Sequence, residues 1–259
     1  MRSLSHQFVV LAYGASPYLP ACLESVCRQT AGGVVVTTST PSAYVADLAR
    51  SYGVELYTAE TRGGIGADWN FALSHAKADL VTLAHQDDVY YPGFAERTCA
   101  LFASNPHAAL CFTDYDEIDG AGRPLPRGRV MIVKRALRSF AVGQRSVVEE
   151  QWRRRRLLAF GSAIPCPSVT LNRAALPEFR FSEDYRINLD WDAWWRLHML
   201  NMPFLIDRTI LMGHRIHQDA ETSRGKLSGH RREEDRRMFR RIWPPPIAEA
   251  LLALYSVGY

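Results

Sequence analysis

The sequence has no long apolar run, and this absence excludes an integral membrane protein. No stretch in its 259 residues approaches the roughly 20 consecutive apolar residues that a membrane-spanning helix needs. The first residues, Met1–Gln7, also lack the apolar segment of a secretory signal. We therefore expect a cytoplasmic protein.

Cysteine is scarce, and its spacing excludes two further classes. The five cysteines are odd in number and contain no Cys-x-x-Cys pair. Neither a disulfide framework nor a thiolate zinc site is therefore indicated. We expect reduced cysteines in or near the core.

The familiar glycine-rich nucleotide motifs are absent as well. The nearest approach is Gly63-Gly64-Ile65-Gly66 before a predicted helix, which could bring backbone close to a phosphate. Its spacing fits neither a P-loop nor a dinucleotide fingerprint, and we favour a flexible turn. A nucleotidyltransferase would show a basic glycine-rich motif after its first strand, whereas Tyr13–Pro17 contains no Lys or Arg.

The composition is that of an ordinary globular protein, with 47% hydrophobic and 22% charged residues. The net charge of +4 is unevenly distributed, because arginines cluster at Arg153–Arg156 and again between Arg231 and Arg241. Such clusters attract phosphates of nucleotides or anionic lipids, although solvated helix faces are the interpretation we favour. Few aromatic residues are interleaved with them, so we expect no nucleic-acid partner.

Apolar runs alternate with helical patterns through the first third of the chain. The predicted strands are Gln7–Tyr13, Gly32–Thr38, Val54–Thr58 and Leu80–Ala84. Helices of about 10 to 12 residues between them indicate βαβ crossovers and a mostly parallel sheet. Beyond Tyr91 we predict a helix within Gln144–Leu158, a strand at Ile164–Asn172, a helix at Asp190–Met199, strands at Phe204–Ile206 and Ile210–Met212, and a polar loop at His214–Arg224.

Two adjacent carboxylates, Asp87 and Asp88, follow the fourth strand. In open α/β sheets ligands gather at the carboxyl ends of the strands. Neighbouring carboxylates repel each other unless a cation lies between them, and a divalent cation that bridges to phosphate oxygens is a common solution. The alternative is a turn with solvated acids before Pro92.

A third acid, Asp190, lies at a predicted helix start between large aromatic residues. It could cap the helix, or it could serve as a general base whose pKa is raised by Trp191 and Trp194, which would also stack on a sugar ring. Asp192 would point away from Asp190 on a helix, so we expect one of the two acids to be structural. Late in the chain, His214 and His217 lack a third zinc ligand, so we interpret His214 as structural and His217 as completing a site built by carboxylates and phosphate.

Taken in order, these motifs resemble the family 2 glycosyltransferases of GT-A fold over about Gln7–Arg224. The matching segments are Val9–Tyr13, Tyr18–Thr30, Gly64–Asn70, His85–Tyr90, Leu189–Trp194 and Arg215–His217. The resemblance implies a Rossmann-like three-layer α/β/α domain with a mostly parallel central sheet. That domain would cover residues 1–230, with a nucleotide-binding half at about 1–115 and an acceptor half at about 116–230, followed by a basic helical extension at 231–259.

The resemblance also implies roles for individual residues in an inverting transfer that depends on Mn²⁺ or Mg²⁺. Asp190 would deprotonate the acceptor hydroxyl, with Trp191 and Trp194 on the acceptor side. The metal ligands would be Asp87, Asp88 and His217. The donor-site residues would be Ala12, Tyr13, Thr38, Asn70, Gln86 and Asp87.

The implied substrates are a nucleotide-sugar donor and a saccharide or lipid-linked acceptor, in bacterial surface polysaccharide or glycan synthesis. The arginine-rich segments would allow peripheral contact with the inner face of a membrane. A nucleotidyltransferase and a non-catalytic sugar-binding or nucleotide-binding module are the alternatives.

The sequence departs from the family pattern at several positions. Thr37-Thr38-Ser39-Thr40 replaces the usual Asp-Asp-Gly-Ser, so the acid expected at the nucleotide base is missing and uridine specificity is not implied. His85 replaces the leading acid of the Asp-x-Asp segment, Trp69 replaces an arginine, and Leu189 replaces a glutamate. Arg62, or an arginine from the later basic segment, would have to supply the lost diphosphate contact.

Overall fold

Short apolar runs build a nine-stranded sheet in the computed structural model, which describes residues 4–217 and 230–256. The strands are β1 His6–Ala12, β2 Gly33–Thr38, β3 Glu55–Thr58, β4 Leu80–His85, β5 Val89–Tyr90, β6 Leu110–Ile118, β7 Val147–Val148, β8 Val169–Asn172 and β9 Phe204–Arg215. The helices are α1 Leu19–Cys27, α2 Ala43–Ser51, α3 Ile65–His75, α4 Phe94–Ser104, α5 Arg129–Val142, α6 Gln151–Leu158, α7 Leu189–His198, α8 His230–Ile242 and α9 Pro245–Ser256.

The first four βα units form the parallel half of the sheet. β1 pairs in parallel with both β2 and β4, and β2 pairs in parallel with β3. All four strands lie within one residue of their predicted ends, because each is an uninterrupted apolar run bounded by polar or glycine residues. The prediction of a GT-A type α/β fold with a mostly parallel sheet is confirmed.

The two faces of the sheet bury different helices. On β1, Phe8 and Val10 pack in a cluster with Leu23 of α1, whereas Val9 packs in another cluster with Leu73 of α3. Side chains alternate across a strand, so a fully apolar strand supplies both faces at once. Helices on both faces give the three layers.

The second half of the sheet is mixed. β8 is antiparallel to both of its neighbours, β4 and β6, while β6 and β9 form a long parallel pair. The resulting order is β3-β2-β1-β4-β8-β6-β9-β5, with β7 also paired to β9. A strand from later in the chain, β8, therefore lies between β4 and β6.

The helix predicted at Gln144–Leu158 is wrong in its first part. Val147 and Val148 form β7 against β9, and α6 begins only at Gln151. β-branched residues favour a half-buried strand over a helix, and the edge of β9 was available to pair with them. The main helix of this basic segment is α5, which precedes the predicted one.

The strand predicted at Ile164–Asn172 is wrong in its first part as well. Cys166–Ser168 form a 3₁₀ turn and β8 begins at Val169. Pro165 and Pro167 have no backbone N–H to donate to a sheet ladder, which delays the strand.

The two short strands predicted at Phe204–Met212 are one continuous strand, β9, which extends through Arg215. Its polar interruption is accommodated because Asp207 accepts hydrogen bonds from the Arg97 side chain and the Thr209 N–H. The polar loop predicted at His214–Arg224 is wrong for its first two residues, and 218–224 lie outside the described residues.

The C-terminal helices are attached to the segment before α7. The Glu234 carboxylate of α8 accepts the backbone N–H groups of Arg186, Ile187 and Asn188 at 2.7–2.9 Å. Phe239 of the same helix is buried against Trp191. Among the described residues, no helix combines the length and apolar character needed to cross a membrane.

Candidate active site

The candidate site begins where β4 ends. A turn closed by the hydrogen bond from Asp88 N to the His85 carbonyl, 3.1 Å, follows the strand and carries both aspartates. β9 reaches the same point because Gly213 pairs with Val89. The glycine is required there, since a Cβ would lie 2.8 Å from the Tyr91 hydroxyl oxygen.

This pairing brings the late histidines to the aspartates. His214 Nδ1 lies 3.0 Å and the Arg215 backbone nitrogen 2.9 Å from Asp88 Oδ1, and His217 Nε2 lies 2.8 Å from Asp87 Oδ2. Asp88 is fully buried, whereas the Asp87 side chain keeps 22% of its surface exposed. His217 therefore reaches the acidic pair, and His214 positions the buried member of it.

The Arg215 side chain connects several parts of the chain at this point through hydrogen bonds and a cation–π contact. Its Nε donates to the Asp87 carbonyl at 2.8 Å, and its Nη1 donates to the carbonyls of Asp119 and Gly120 at 2.6 and 3.1 Å. Its guanidinium carbon also lies 4.6 Å from the centre of the Tyr18 ring. One buried side chain thus connects the ends of β4, β6 and β9 to the beginning of α1.

The side chains at the end of β4 fit a divalent cation. Ligand atoms of His85, Asp87 and Asp88 all lie within 4.8 Å of one another. Asp88 Oδ2 and His85 Nε2 are buried and have no hydrogen-bond partner in the part of the chain that the structure describes. Carboxylate and imidazole are the oxygen and nitrogen ligands that divalent metals use, and an unpaired buried carboxylate oxygen is costly without a cation.

The pKa values in this cluster favour ionised Asp87 and His214 but neutral His85. Burial opposes ionisation of Asp87, but His85 and the hydrogen bond from His217 outweigh it and lower the pKa of that carboxyl. Burial lowers the pKa of His85. Burial also disfavours the charged form of His214, but Asp88 outweighs it and raises the pKa of that imidazole.

Asp190 lies on the other side of the same region. It is the second residue of α7, after the flanking residue Asn188, so it does not cap the helix; its Oδ1 accepts the Trp191 N–H at 2.7 Å. Burial raises the pKa of Asp190 to about 6. Burial, followed by the charges of Asp190 and Asp88, raises the pKa of the Cys166 thiol, which places both carboxylates near that residue.

Lys134 of α5 is a site residue that the sequence does not reveal. Burial lowers the pKa of this lysine, while the carboxylate of Asp190 acts in the opposite direction. The same lysine also acts on His214. It is therefore electrostatically linked to both the base candidate and His214. No spacing pattern pointed to it, because the helix that carries it was predicted in the wrong place.

Just beyond the carboxyl end of β1, the Tyr13 ring is 54% exposed and the Arg62 guanidinium carbon lies 5.9 Å from its centre. The Gln86 side-chain amide forms two hydrogen bonds with the backbone of Tyr13. Its oxygen accepts from Tyr13 N at 2.8 Å, and its nitrogen donates to Tyr13 O at 3.0 Å. The buried Thr38 hydroxyl accepts from Thr40 N at 3.0 Å. Ala12 is buried at the end of β1.

Asp68 of α3 is a second residue that the sequence pattern missed. The Ser39 hydroxyl, at the end of β2, donates to Asp68 Oδ2 at 3.0 Å. Burial raises the pKa of this carboxyl. A carboxylate therefore lies at the end of β2 although Thr37–Thr40 contain none. The sequence after β2 does not reveal this acid, because helix α3 supplies it.

Three predicted site residues have other roles in the structure. The Asn70 amide is engaged by the backbone of Phe181, accepting from its nitrogen at 2.8 Å and donating to its oxygen at 3.0 Å. Trp191 and Trp194 are buried, with 0% and 1% of their surface exposed. A sugar cannot stack on rings enclosed in the core, so the acceptor-side interpretation of both tryptophans is corrected. They anchor α7 instead.

Two departures from the family pattern are neighbours. The rings of Trp69 and His85 lie 5.3 Å apart, centre to centre, and Trp69 also packs edge-on against Phe181. Asp192 is buried and paired with Arg196 at 2.8 Å and Arg241 at 2.5 Å, so of the two acids Asp192 has the structural contacts.

The sheet order and the acidic end of β4 define a GT-A glycosyltransferase architecture. The chain belongs to glycosyl transferase family 2, whose family model matches residues 7–159. Similar solved structures include S. aureus TarS 1-349 in complex with UDP-GlcNAc, with a TM-score of 0.67, 16% identity, and coverage of 97% of this chain and 71% of that one. The mannosyltransferase PcManGT from Pyrobaculum calidifontis, in complex with GDP-Man and Mn²⁺, has a TM-score of 0.63, 14% identity, and coverage of 100% and 76%.

Two curated relatives are uncharacterised glycosyltransferases from Rickettsia. The Rickettsia typhi protein is 21% identical over 228 residues, which are 85% of this chain and 66% of the relative. The Rickettsia felis protein is 20% identical over 234 residues, which are 87% of this chain and 36% of the relative. The chain thus spans about two thirds of one relative and about a third of the other.

We predict that Arg215→Lys destabilises the protein by about 2–4 kcal/mol, because buried carbonyl groups lose their donors. Urea unfolding measures the change in free energy. Arg28→Lys is the matched control, since Arg28 forms an exposed pair with Glu24 and should change stability by less than about 0.5 kcal/mol. Equal stabilities of the two variants would contradict the fastening role of Arg215.

Proposed function

We propose that the chain catalyses an inverting, metal-dependent transfer of a sugar from a nucleotide-sugar donor to a saccharide or lipid-linked acceptor. One observation carries the proposal: the low-pKa carboxyl of Asp87, beside buried Asp88, shares a region with Asp190, whose pKa is raised to about 6. Carboxyls whose pKa values are driven apart suit different tasks, one as a permanent anion and the other as a proton acceptor.

In the proposed reaction, Asp190 accepts the proton of the acceptor hydroxyl as its oxygen attacks the anomeric carbon. The bond from that carbon to the diphosphate oxygen breaks on the opposite face, so the configuration is inverted. Asp87, Asp88, His85 and His217 would hold a divalent cation, which when bound neutralises negative charge on the departing diphosphate. Mn²⁺ or Mg²⁺ is the proposed ion, and PcManGT, a protein of similar fold, was crystallised with Mn²⁺.

For the donor, we propose that the nucleotide base lies against Ala12 and the exposed Tyr13 ring, which Gln86 positions. Asp68 takes the place of the acid missing after β2, and Arg62 supplies positive charge beside Tyr13. The complexes of TarS with UDP-GlcNAc and of PcManGT with GDP-Man support a nucleotide-sugar donor.

For the acceptor, we propose a role in bacterial surface polysaccharide or glycan synthesis, with peripheral contact to the inner face of a membrane. Not all arginines are available for such contact. Arg236 and Arg240 of α8 pair with Glu249, Arg241 pairs with Asp192, and Arg154 is buried.

The main test of the proposed function is Asp190→Asn. We expect nucleoside diphosphate release from the donor to fall by about 100-fold or more, because a positioned general base contributes that much, while donor affinity stays within about twofold. The donor is chosen by a thermal-shift screen of nucleotide sugars with Mn²⁺. Asp184→Asn, an exposed acid before α7, is the control. Unchanged release in Asp190→Asn would refute the assignment of the base.

The same residue predicts a pH dependence. Because only the ionised carboxylate accepts a proton, kcat/KM should rise with pH through about 6. Lys134 favours the ionised form, so Lys134→Gln should raise the pKa of Asp190 and move this limb to higher pH. Lys77→Gln, an exposed lysine paired with Glu55, should leave the profile unchanged. A limb that stays fixed in Lys134→Gln would contradict this electrostatic role.

For the metal, we predict that Mn²⁺ raises the melting temperature of the unaltered chain and that Asp87→Asn loses most of this shift. The reason is that a ligand stabilises the folded state in proportion to its affinity for that state. Isothermal titration with Mn²⁺ alone gives the affinity directly. Asp47→Asn, an exposed acid on α2, serves as the control, and equal Mn²⁺ affinity in both variants would exclude Asp87 as a ligand.

For the donor pocket, we predict that Asp68→Asn weakens nucleotide affinity by about fivefold to tenfold, because a charged hydrogen-bonding group is lost. Titration with the selected nucleoside diphosphate, in the presence of Mn²⁺, measures the loss. The Mn²⁺ affinity without nucleotide should not change. If nucleotide affinity is also unchanged, Asp68 does not replace the missing acid.

A further inference from the structure

Helix α5 exposes three large apolar side chains, although its Met131, Ala141 and Val142 are buried in the core. Its sheet-facing side carries Arg135 and Arg138, whose guanidinium groups lie 3.2 and 2.8 Å from the Asp114 carboxylate oxygens. Its outer side carries Ile132, Val133 and Phe140, which are 56%, 55% and 61% exposed. A surface helix ordinarily buries its apolar residues and exposes its charged ones.

The exposed apolar surface continues onto α6. Trp152 is 49% exposed. The guanidinium carbon of Arg153 lies 4.1 Å from the centre of the Trp152 ring. The guanidinium carbon of Arg156 lies 4.1 Å from the Phe140 ring centre and 5.4 Å from that of Trp152. We call Ile132, Val133, Phe140, Trp152 and Arg156 the α5–α6 face.

The charges beside this face are mainly positive. Arg153 is paired with Glu150 at 3.2 Å, but no carboxylate among the described residues lies within ion-pair distance of Arg156. The arginines of α8, by contrast, are largely paired with acids of the protein itself. Arg156 therefore lies beside exposed aromatic side chains without a neutralising acid among the described residues.

This combination matches the chemistry of a lipid–water interface. Tryptophan and phenylalanine insert between headgroups, and an arginine beside them contacts lipid phosphates. A protein partner would be expected to meet an apolar centre with its cations at the rim, whereas Arg156 lies between the two aromatic rings. Scattered apolar residues need no explanation, but a contiguous apolar face on one helix marks an interaction site.

We propose that the α5–α6 face docks on an anionic lipid bilayer. The purpose of this docking, which is to reach a lipid-linked acceptor, rests on the proposed function, whereas the docking itself does not. Lys134, on the same helix, acts electrostatically on Asp190, so docking through α5 brings the base close to the lipid headgroups. Membrane contact is thereby assigned to α5 and α6 rather than to the arginines of α8.

The test is co-sedimentation of the 259-residue chain with vesicles of phosphatidylcholine alone or mixed with phosphatidylglycerol. We expect binding only to the mixed vesicles, and weaker binding at high salt. Val133→Asp/Phe140→Asp should reduce the bound fraction at least about tenfold, and Arg156→Gln should reduce affinity about fivefold. Both variants change exposed or partly exposed positions, and circular dichroism verifies that they fold.

Leu254→Asp is the matched control, because Leu254 is 74% exposed on α9 and lies outside the α5–α6 face. It should bind vesicles like the unaltered chain. Mn²⁺-dependent donor binding in Val133→Asp/Phe140→Asp should be normal, which separates failure of docking from failure of the proposed function.

Two outcomes would overturn the inference. One is an absence of binding to the mixed vesicles at low salt, or binding that the double variant does not weaken. The other is a dimer, detected by sedimentation, that Val133→Asp/Phe140→Asp dissociates while vesicles are not bound; the face would then be an interface between two copies of the chain.

Discussion

The burial of the Asp88 carboxylate is the constraint on which the rest of the site depends. A charged group without access to water must be matched by donors or by a cation. The donors come from His214 and from the backbone of Arg215, so the end of β9 has to reach the end of β4. With β9 in this position, His217 also contacts Asp87, and the Arg215 side chain hydrogen-bonds to the carbonyls of Asp87, Asp119 and Gly120. A single desolvated oxygen thus determines where a distant part of the chain must lie.

The sequence predicts the parallel half of the fold well because that half depends on local patterns. β1 to β4 are apolar runs, and the acids after β4 lie at the edge where such sheets bind ligands. The later elements were predicted less well, because their placement depends on partners far away in the chain. Val147 and Val148 become a strand only because β9 offers an edge, and Asp207 can stay within β9 only because Arg97 pairs with it.

The same reasoning explains the site residues that sequence patterns missed or misassigned. Asp68 lies within the matching segment Gly64–Asn70 but comes from a different element than the acid it replaces, and Lys134 lies on a helix whose sequence carries no recognisable motif. Trp191 and Trp194 were expected to contact a sugar, since aromatic residues beside an acid suit that role, but they face inwards from α7. Asp190, at the start of the same helix, is buried as well, and its burial raises the pKa of its carboxyl to about 6. The position of an aromatic residue in the sequence does not reveal which side of a helix will face the core.

The insertion of β8 between β4 and β6 has a consequence for how the protein is made. During synthesis, β4 and β6 leave the ribosome well before β8, and β9 follows later still. Until both have emerged, β4 and β6 each present an unpaired edge whose backbone groups lack their final partners. Completion of the sheet must therefore wait for β8 and β9. Because of this order, the earlier and later parts of the chain are not interchangeable modules, and a transplanted later part would have to bring a strand that fits the centre of a foreign sheet.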